Sequence, residues 1–232
     1  MTRRRSVQLA ALALALVGYW LPWLTHPVAA LRLNGYELSE WVTYLPGVRD
    51  GSLPLSRLLF LLPLGCLALL LALASSWQAA RPAHVLSTTT TPPGQPMARS
   101  GMAALLPTVR GWGGWGLLLL SFICAFTVFP PYPYLLTAYA DPEYRSQLFV
   151  ASLGVVVLLL ALYLPSDLKA ALQIVLALVG GTLAVWGLLV LRPVASGLLG
   201  AAWAIGLGWP IMLAGFVLLA LGGLRELFGP RI

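Results

Sequence analysis

Charge is scarce in this chain. Asp, Glu, Lys and Arg make up 9% of the 232 residues, against about 25% in a soluble domain. So little charge cannot clothe a surface that faces water on every side. Histidine and cysteine are rarer still: His26, His84, Cys66 and Cys124. The cysteines lie in separate apolar runs, which excludes a clustered metal set and a framework of loop disulfides. They read as two small buried hydrophobes. No HExxH, GxSxG or Walker loop is present, nor a Gly-rich turn after a strand. Away from their ends, the apolar runs hold no Asp, Glu, Lys, Arg or His. Proton pumps, ion-coupled transporters and voltage sensors keep such residues inside the membrane despite their cost. Those classes are excluded.

What is present is apolar: 59% of residues, with a mean hydropathy of +0.88. The runs are continuous and rich in Leu and Ala, without the alternation of a transmembrane barrel. A spanning helix needs about 20 residues. The sequence predicts an all-α membrane protein with about six transmembrane helices, over 6–24, 57–78, 112–129, 142–164, 167–191 and 197–223. The first run follows Arg3, Arg4 and Arg5 as a signal peptide would, but it continues to Leu24, longer than a signal core. Asp141 is the expected N-cap of the fourth helix, with Pro142 at its first position. Ser166 and Asp167 open the fifth, and Pro210 is an expected kink near the middle of the sixth.

The basic residues test this count. With six helices, Arg3, Arg4, Arg5, Arg81, Arg99, Arg110, Lys169, Arg225 and Arg231 fall on one side. Arg32, Arg49, Arg57, Arg145 and Arg192 fall on the other. The excess places both termini in the cytoplasm of a multi-pass protein of the bacterial inner membrane. The net charge of +7 then sets topology and meets lipid headgroups, and nucleic acid is not expected as a partner.

Three parts are expected: a two-helix part at 1–78, a flexible cytoplasmic linker at 79–111 and a four-helix bundle at 112–232. The linker contains "STTTTPPGQP", a composition that cannot bury a core. In the first outer loop, "NGYELSEWVTYLPG" offers Asn34 as N-cap with Glu37 three residues on. Leu38, Trp41, Val42 and Leu45 line one face, which predicts one amphipathic helix on the membrane surface. Glu37 and Glu40 then belong to its solvated face. Tyr132, Tyr134, Tyr139 and Tyr144 suit an interfacial belt, as do Trp20 and Trp23 in "GYWLPWLTHP".

The positive signal is a set of small-residue stripes, which let helices approach closely. Gly197, Ala201, Ala204, Gly208 and Gly215 recur on the sixth helix, Ala177, Gly181 and Ala184 on the fifth, and Ala11, Ala15 and Gly18 on the first. Only Arg192–Ser196 would join the fifth and sixth, as a tight antiparallel hairpin. Gly181, Ala184, Gly197, Ala201, Ala204 and Gly208 are therefore candidates for helix packing or for an interface. Trp20, Trp23, His26, Leu38, Trp41 and Leu45 are candidates for an outer docking surface. His26 and His84 fall on opposite faces and cannot ligate a haem together, so no cofactor, metal or catalytic set is expected. His26 alone has the chemistry to hydrogen-bond a neighbouring quinone. Ser75, Ser76, Ser121, Thr127, Ser152, Gln173 and Thr182 are expected to bond to backbone or to a neighbouring helix.

In size, helix count and lack of ligands, the whole chain resembles in kind the small accessory membrane subunits of bacterial respiratory and photosynthetic electron-transport complexes, alternative complex III among them. The resemblance implies a non-enzymatic scaffolding role, with other membrane subunits and lipids as partners and a quinone pathway as a neighbour. The alternative is a small transporter or channel-like protein for a neutral or lipidic substrate. A membrane enzyme acting on lipid, with His26 or Glu37 at the outer surface, ranks third.

Overall fold

A computed structural model describes residues 3–26, 31–77, 111–132, 134–199 and 203–229. These are mostly helical. The helices are α1 (Arg3–Trp20), α2 (Gly35–Val42), α3 (Pro46–Arg49), α4 (Leu58–Trp77), α5 (Gly111–Thr127), α6 (Pro142–Ala161), α7 (Ser166–Leu199) and α8 (Gly208–Phe228). Three short strands accompany them: β1 (Leu24–His26), β2 (Leu31–Leu33) and β3 (Ala204–Ile205). Four helices, α4, α6, α7 and α8, are long and apolar enough to cross a membrane, as a multi-pass membrane protein requires. Helix α1 has 18 residues but opens on three arginines, and α5 has 17 residues. The predicted linker lies outside the described residues, except Gly111, which opens α5.

Helix α4 is apolar on every side, and 72% of its membrane-length stretch is buried. Such a helix belongs at the centre, and it packs on α1, α2, α5, α6 and α7. Helix α8 bridges α1 and α7. The Tyr19 hydroxyl, near the end of α1, donates to the Phe60 carbonyl near the start of α4 at 3.1 Å. Lys169, near the start of α7, donates to Ser76 Oγ near the end of α4 at 2.8 Å. Gln8 donates from early α1 to Glu226 in late α8 at 2.9 Å. The start of α1, the end of α4, the start of α7 and the end of α8 therefore share one end of the bundle. The predicted N- and C-terminal parts pack into this one bundle, because α1 lies on α8, and α4 lies on α5 and α7.

The closest helix pair is α1 with α8. A Cβ on Gly18 would lie 2.7 Å from the Met212 Cα and 2.8 Å from the Gly208 carbonyl oxygen. A Cβ on Gly215 would lie 2.6 Å from the Ala15 Cβ. Only glycine permits backbones this close. The stripe Ala11–Ala15–Gly18 thus meets Gly208 and Gly215.

The boundary between the last two helices differs from expectation. No hairpin forms at Arg192–Ser196, because α7 continues for 34 residues through Pro193. Proline inside a helix forfeits one backbone hydrogen bond, and a helix packed in protein tolerates that loss. The predicted sixth helix starts 11 residues late, at Gly208. Pro210 consequently sits in the first turn of α8, where its missing N–H has no intrahelical partner to lose; it is not a mid-helix kink. The stripe read along 197–208 therefore dissolves. Gly197 stands on α7 with open space around it, Ala204 is in β3, Gly208 opens α8, and Ala201 lies outside the described residues.

The strands were not expected. They form a small antiparallel sheet in the order β2-β1-β3, with Thr25 opposite Arg32 on one side and Ala204 on the other. Runs of two or three residues are too short to show alternation. The sheet satisfies the backbone where α1 ends: Trp23 N–H donates to Leu33 at 2.8 Å, and Gly206 N–H donates to Trp23 at 2.8 Å.

Candidate functional site

The one ion pair among the described residues lies at the end of the bundle that carries the sheet. Helix α2 starts on a capping box, as expected: Glu37 N–H donates to Asn34 Oδ1 at 3.0 Å, and Asn34 N–H donates to Glu37 Oε2 at 2.8 Å. This orients α2 so that Leu38, Val42 and Leu45 are buried and pack into the core of the bundle. The apolar face expected to meet the membrane surface is therefore covered by the chain itself. The opposite assignment also fails for Glu40. Its carboxylate accepts from Arg57 Nη2 at 2.7 Å, and the Arg57 side chain is only 4% exposed.

Arg57 precedes α4 and is held on a second side by aromatic rings. Its guanidinium carbon lies 4.7 Å from the centre of the Tyr144 ring, a cation–π contact strengthened by burial. Tyr144 stacks in turn on Tyr134 at 5.1 Å, with the rings 9° from parallel. Arg57 Nε and Nη1 meet no acceptor among the described residues. A buried ion pair of this kind fixes geometry more than it adds stability: it ties α2 to α4 and to the start of α6. Tyr36 borders the pair. Burial pushes its phenol above the ordinary tyrosine value, the Glu40 charge adds to that, Arg57 opposes it, and Tyr144 raises it further.

The predicted docking residues part company. Trp23 is fully buried, donates from Nε1 to the Gly18 carbonyl at 3.1 Å, and meets Tyr19 edge-on at 5.8 Å. His26 is buried 5.1 Å from the ring of Trp203, which also meets Trp41 at 5.8 Å. Trp23, Leu38 and Leu45 are therefore internal packing, while His26 is buried but borders a groove beside the sheet. Trp41 is half-buried, and Trp20 alone among the six is exposed, at 45%. Of the packing candidates, Ala184 is buried and accepts from Trp209 Nε1 at 3.2 Å. A Cβ on Gly181 would reach the Phe216 Cβ at an ordinary 3.7 Å.

Within the bundle, polar side chains hold helix to helix. Ser121 on α5 donates to the Ala68 carbonyl on α4 at 2.6 Å. Gln147 on α6 donates to the Val128 carbonyl at 2.8 Å, and Gln173 on α7 donates to the Leu219 carbonyl on α8 at 2.7 Å. Gln8 and Gln147 escaped the sequence analysis because each stands near the end of an apolar run. Arg57 escaped because it reads as a topology-setting charge. Nothing local marks Tyr144 as its partner, 87 positions later. Three spaces stand out among the described residues, and one is a groove of about 750 Å³ beside the sheet, bordered by Thr25, His26, Arg32 and Leu207. A crevice of about 260 Å³ lies among α4, α5, α6 and α7, lined by apolar side chains and by Gly65, Cys66 and Gly154. A groove of about 570 Å³ lies between α1 and α8 at the end opposite Arg57. Among the described residues, no group of three His, Cys, Asp or Glu is placed to hold a metal.

No family model matches the chain, and no curated protein or solved structure matches it either.

Proposed function

We propose that the chain is a non-catalytic accessory subunit of a larger bacterial inner-membrane complex of the respiratory or photosynthetic electron-transport kind. It stabilises the assembly through helix packing. In this reading six helices span the membrane and both termini are cytoplasmic. One observation carries it: three buried polar side chains join segments of the bundle, although Gln147 Oε1 and Gln173 Oε1 meet no donor among the described residues. Ser121, Gln147 and Gln173 each bond a backbone carbonyl of another segment. Groups serving a substrate would instead face a cavity, and the crevice among α4–α7 is apolar. The orientation is supported by the shared end of Arg4, Lys169 and Arg225, which the positive-inside rule assigns to the cytoplasm. Helix α6 keeps Phe149, Leu153, Val156 and Leu160 exposed, an apolar face fit for lipid or a neighbouring subunit. Native purification with mass spectrometry tests the proposal. Stoichiometric co-purification with cytochrome or iron–sulfur subunits is expected. A stable monomer or homodimer that moves a solute across liposomes overturns it.

The apolar crevice favours a second reading, a small transporter or channel-like protein for a neutral or lipidic substrate. Gly65 and Gly154 leave open space on its walls. Replacing both with leucine fills that space. Transport activity that survives the filled crevice sinks this alternative, whereas subunit co-purification is indifferent to it.

A further inference from the structure

At the end of the bundle where α1 begins and α8 ends, the groove of about 570 Å³ has a polar rim and an apolar wall. Arg4 and Arg225 supply two guanidinium groups, and neither has a carboxylate within ion-pair distance among the described residues. Gln8 lines the same groove and is only 4% exposed. Its Nε2 donates to Glu226 Oε1 at 2.9 Å, while its Oε1 meets no donor among the described residues. Leu218 and Leu221 form the wall that runs along α8.

The groove thus sets two cations without a carboxylate partner among the described residues, an unfilled buried amide acceptor and a carboxylate beside an apolar wall of Val7, Leu218 and Leu221. Guanidinium groups match phosphate oxygens in planar pairs. A carboxylate and an amide oxygen match an N–H cation. The wall matches an acyl chain. We propose that this groove binds the headgroup of a diacyl aminophospholipid of the phosphatidylethanolamine type. The phosphate sits between Arg4 and Arg225, the ammonium faces Glu226 and Gln8 Oε1, and one acyl chain follows Leu218 and Leu221. This goes beyond the subunit role and does not depend on it. The charge pattern also discriminates. A phosphatidylcholine headgroup keeps the phosphate but offers no N–H donor, and diacylglycerol lacks the phosphate.

The full-length chain in mild detergent, stripped of lipid, is titrated with each lipid and followed by native mass spectrometry. One phosphatidylethanolamine per chain is expected, with weaker binding of phosphatidylcholine and none of diacylglycerol. Arg4→Gln and Arg225→Gln each weaken retention about tenfold, the worth of one charge-assisted hydrogen bond. Both side chains are exposed, so melting temperatures stay near wild type. Arg145→Gln, at the opposite end, changes nothing. Three results overturn the proposal: the double Arg4/Arg225 variant retains lipid as wild type does, phosphatidylcholine binds as well as phosphatidylethanolamine, or excess inorganic phosphate displaces the lipid and so identifies a free-phosphate site.

Discussion

Gly18 on α1 lies so close to Met212 on α8 that the two helices touch backbone to backbone. No side chain fits between them, so the pair behaves as a fixed antiparallel unit. That contact brings the first and last helices together and closes the bundle around α4.

Gly18→Val should cost about 1–3 kcal/mol, the usual penalty for overpacking, and lower the thermal midpoint in detergent. Gly197→Val is the counterpart. Nothing lies within 4 Å of a Cβ at Gly197, so its midpoint should stay within a degree or two of wild type. Equal effects at both sites would refute the α1–α8 contact.

Glu40→Gln strips the buried Arg57 of its counter-charge. The loss should be about 3 kcal/mol, at the low end for a broken buried pair because the Glu40 side chain is 32% exposed. Adding Arg57→Met removes the orphaned charge and should restore most of that stability. Chemical denaturation of both variants checks the sign, and a double variant weaker than the single one would contradict the burial of Arg57.

The hydrogen bonds between segments should each count for little. Ser121→Ala and Gln173→Leu are expected to cost about 0.6 kcal/mol apiece, the average measured for such bonds in membrane bundles. Together they should add, since they join different helix pairs. A loss of function without a loss of stability in either variant would point to a substrate role for these groups instead.

Tyr36 should hold its proton past the ordinary tyrosine value of about 10. A folded-state pKa raised in this way contributes stability that is complete below the unfolded value and lost as pH rises through the folded one. The difference in phenolate absorbance between wild type and Tyr36→Phe isolates this single phenol. Titration below the ordinary value would show that the phenol is not buried beside Glu40 as the structure has it.

Much of the architecture is legible along the chain, because hydropathy is a local property. The apolar runs mark α4, α6 and the bulk of α7 and α8, and Asn34 with Glu37 marks the start of α2, since a capping box is contained in four residues. The break between α7 and α8 is not legible along the chain, because a proline in Arg192–Ser196 reads locally as a connection. Only packing reveals that the helix continues through it.

By itself, the sequence determined the class: too little charge for a water-soluble surface, and helices rather than strands across the apolar runs. It also determined that small residues would line some helix contacts. Only the tertiary structure decided which contacts. Ala11, Ala15 and Gly18 meet Gly208 and Gly215, while Gly197 meets nothing. It also decided that Glu40, legible as a solvated residue, faces Arg57 and that Arg57 faces Tyr144. The physical reason is distance along the chain. A membrane helix displays the same apolar surface on every side, so composition fixes its presence, and steric fit between remote backbones fixes its neighbours.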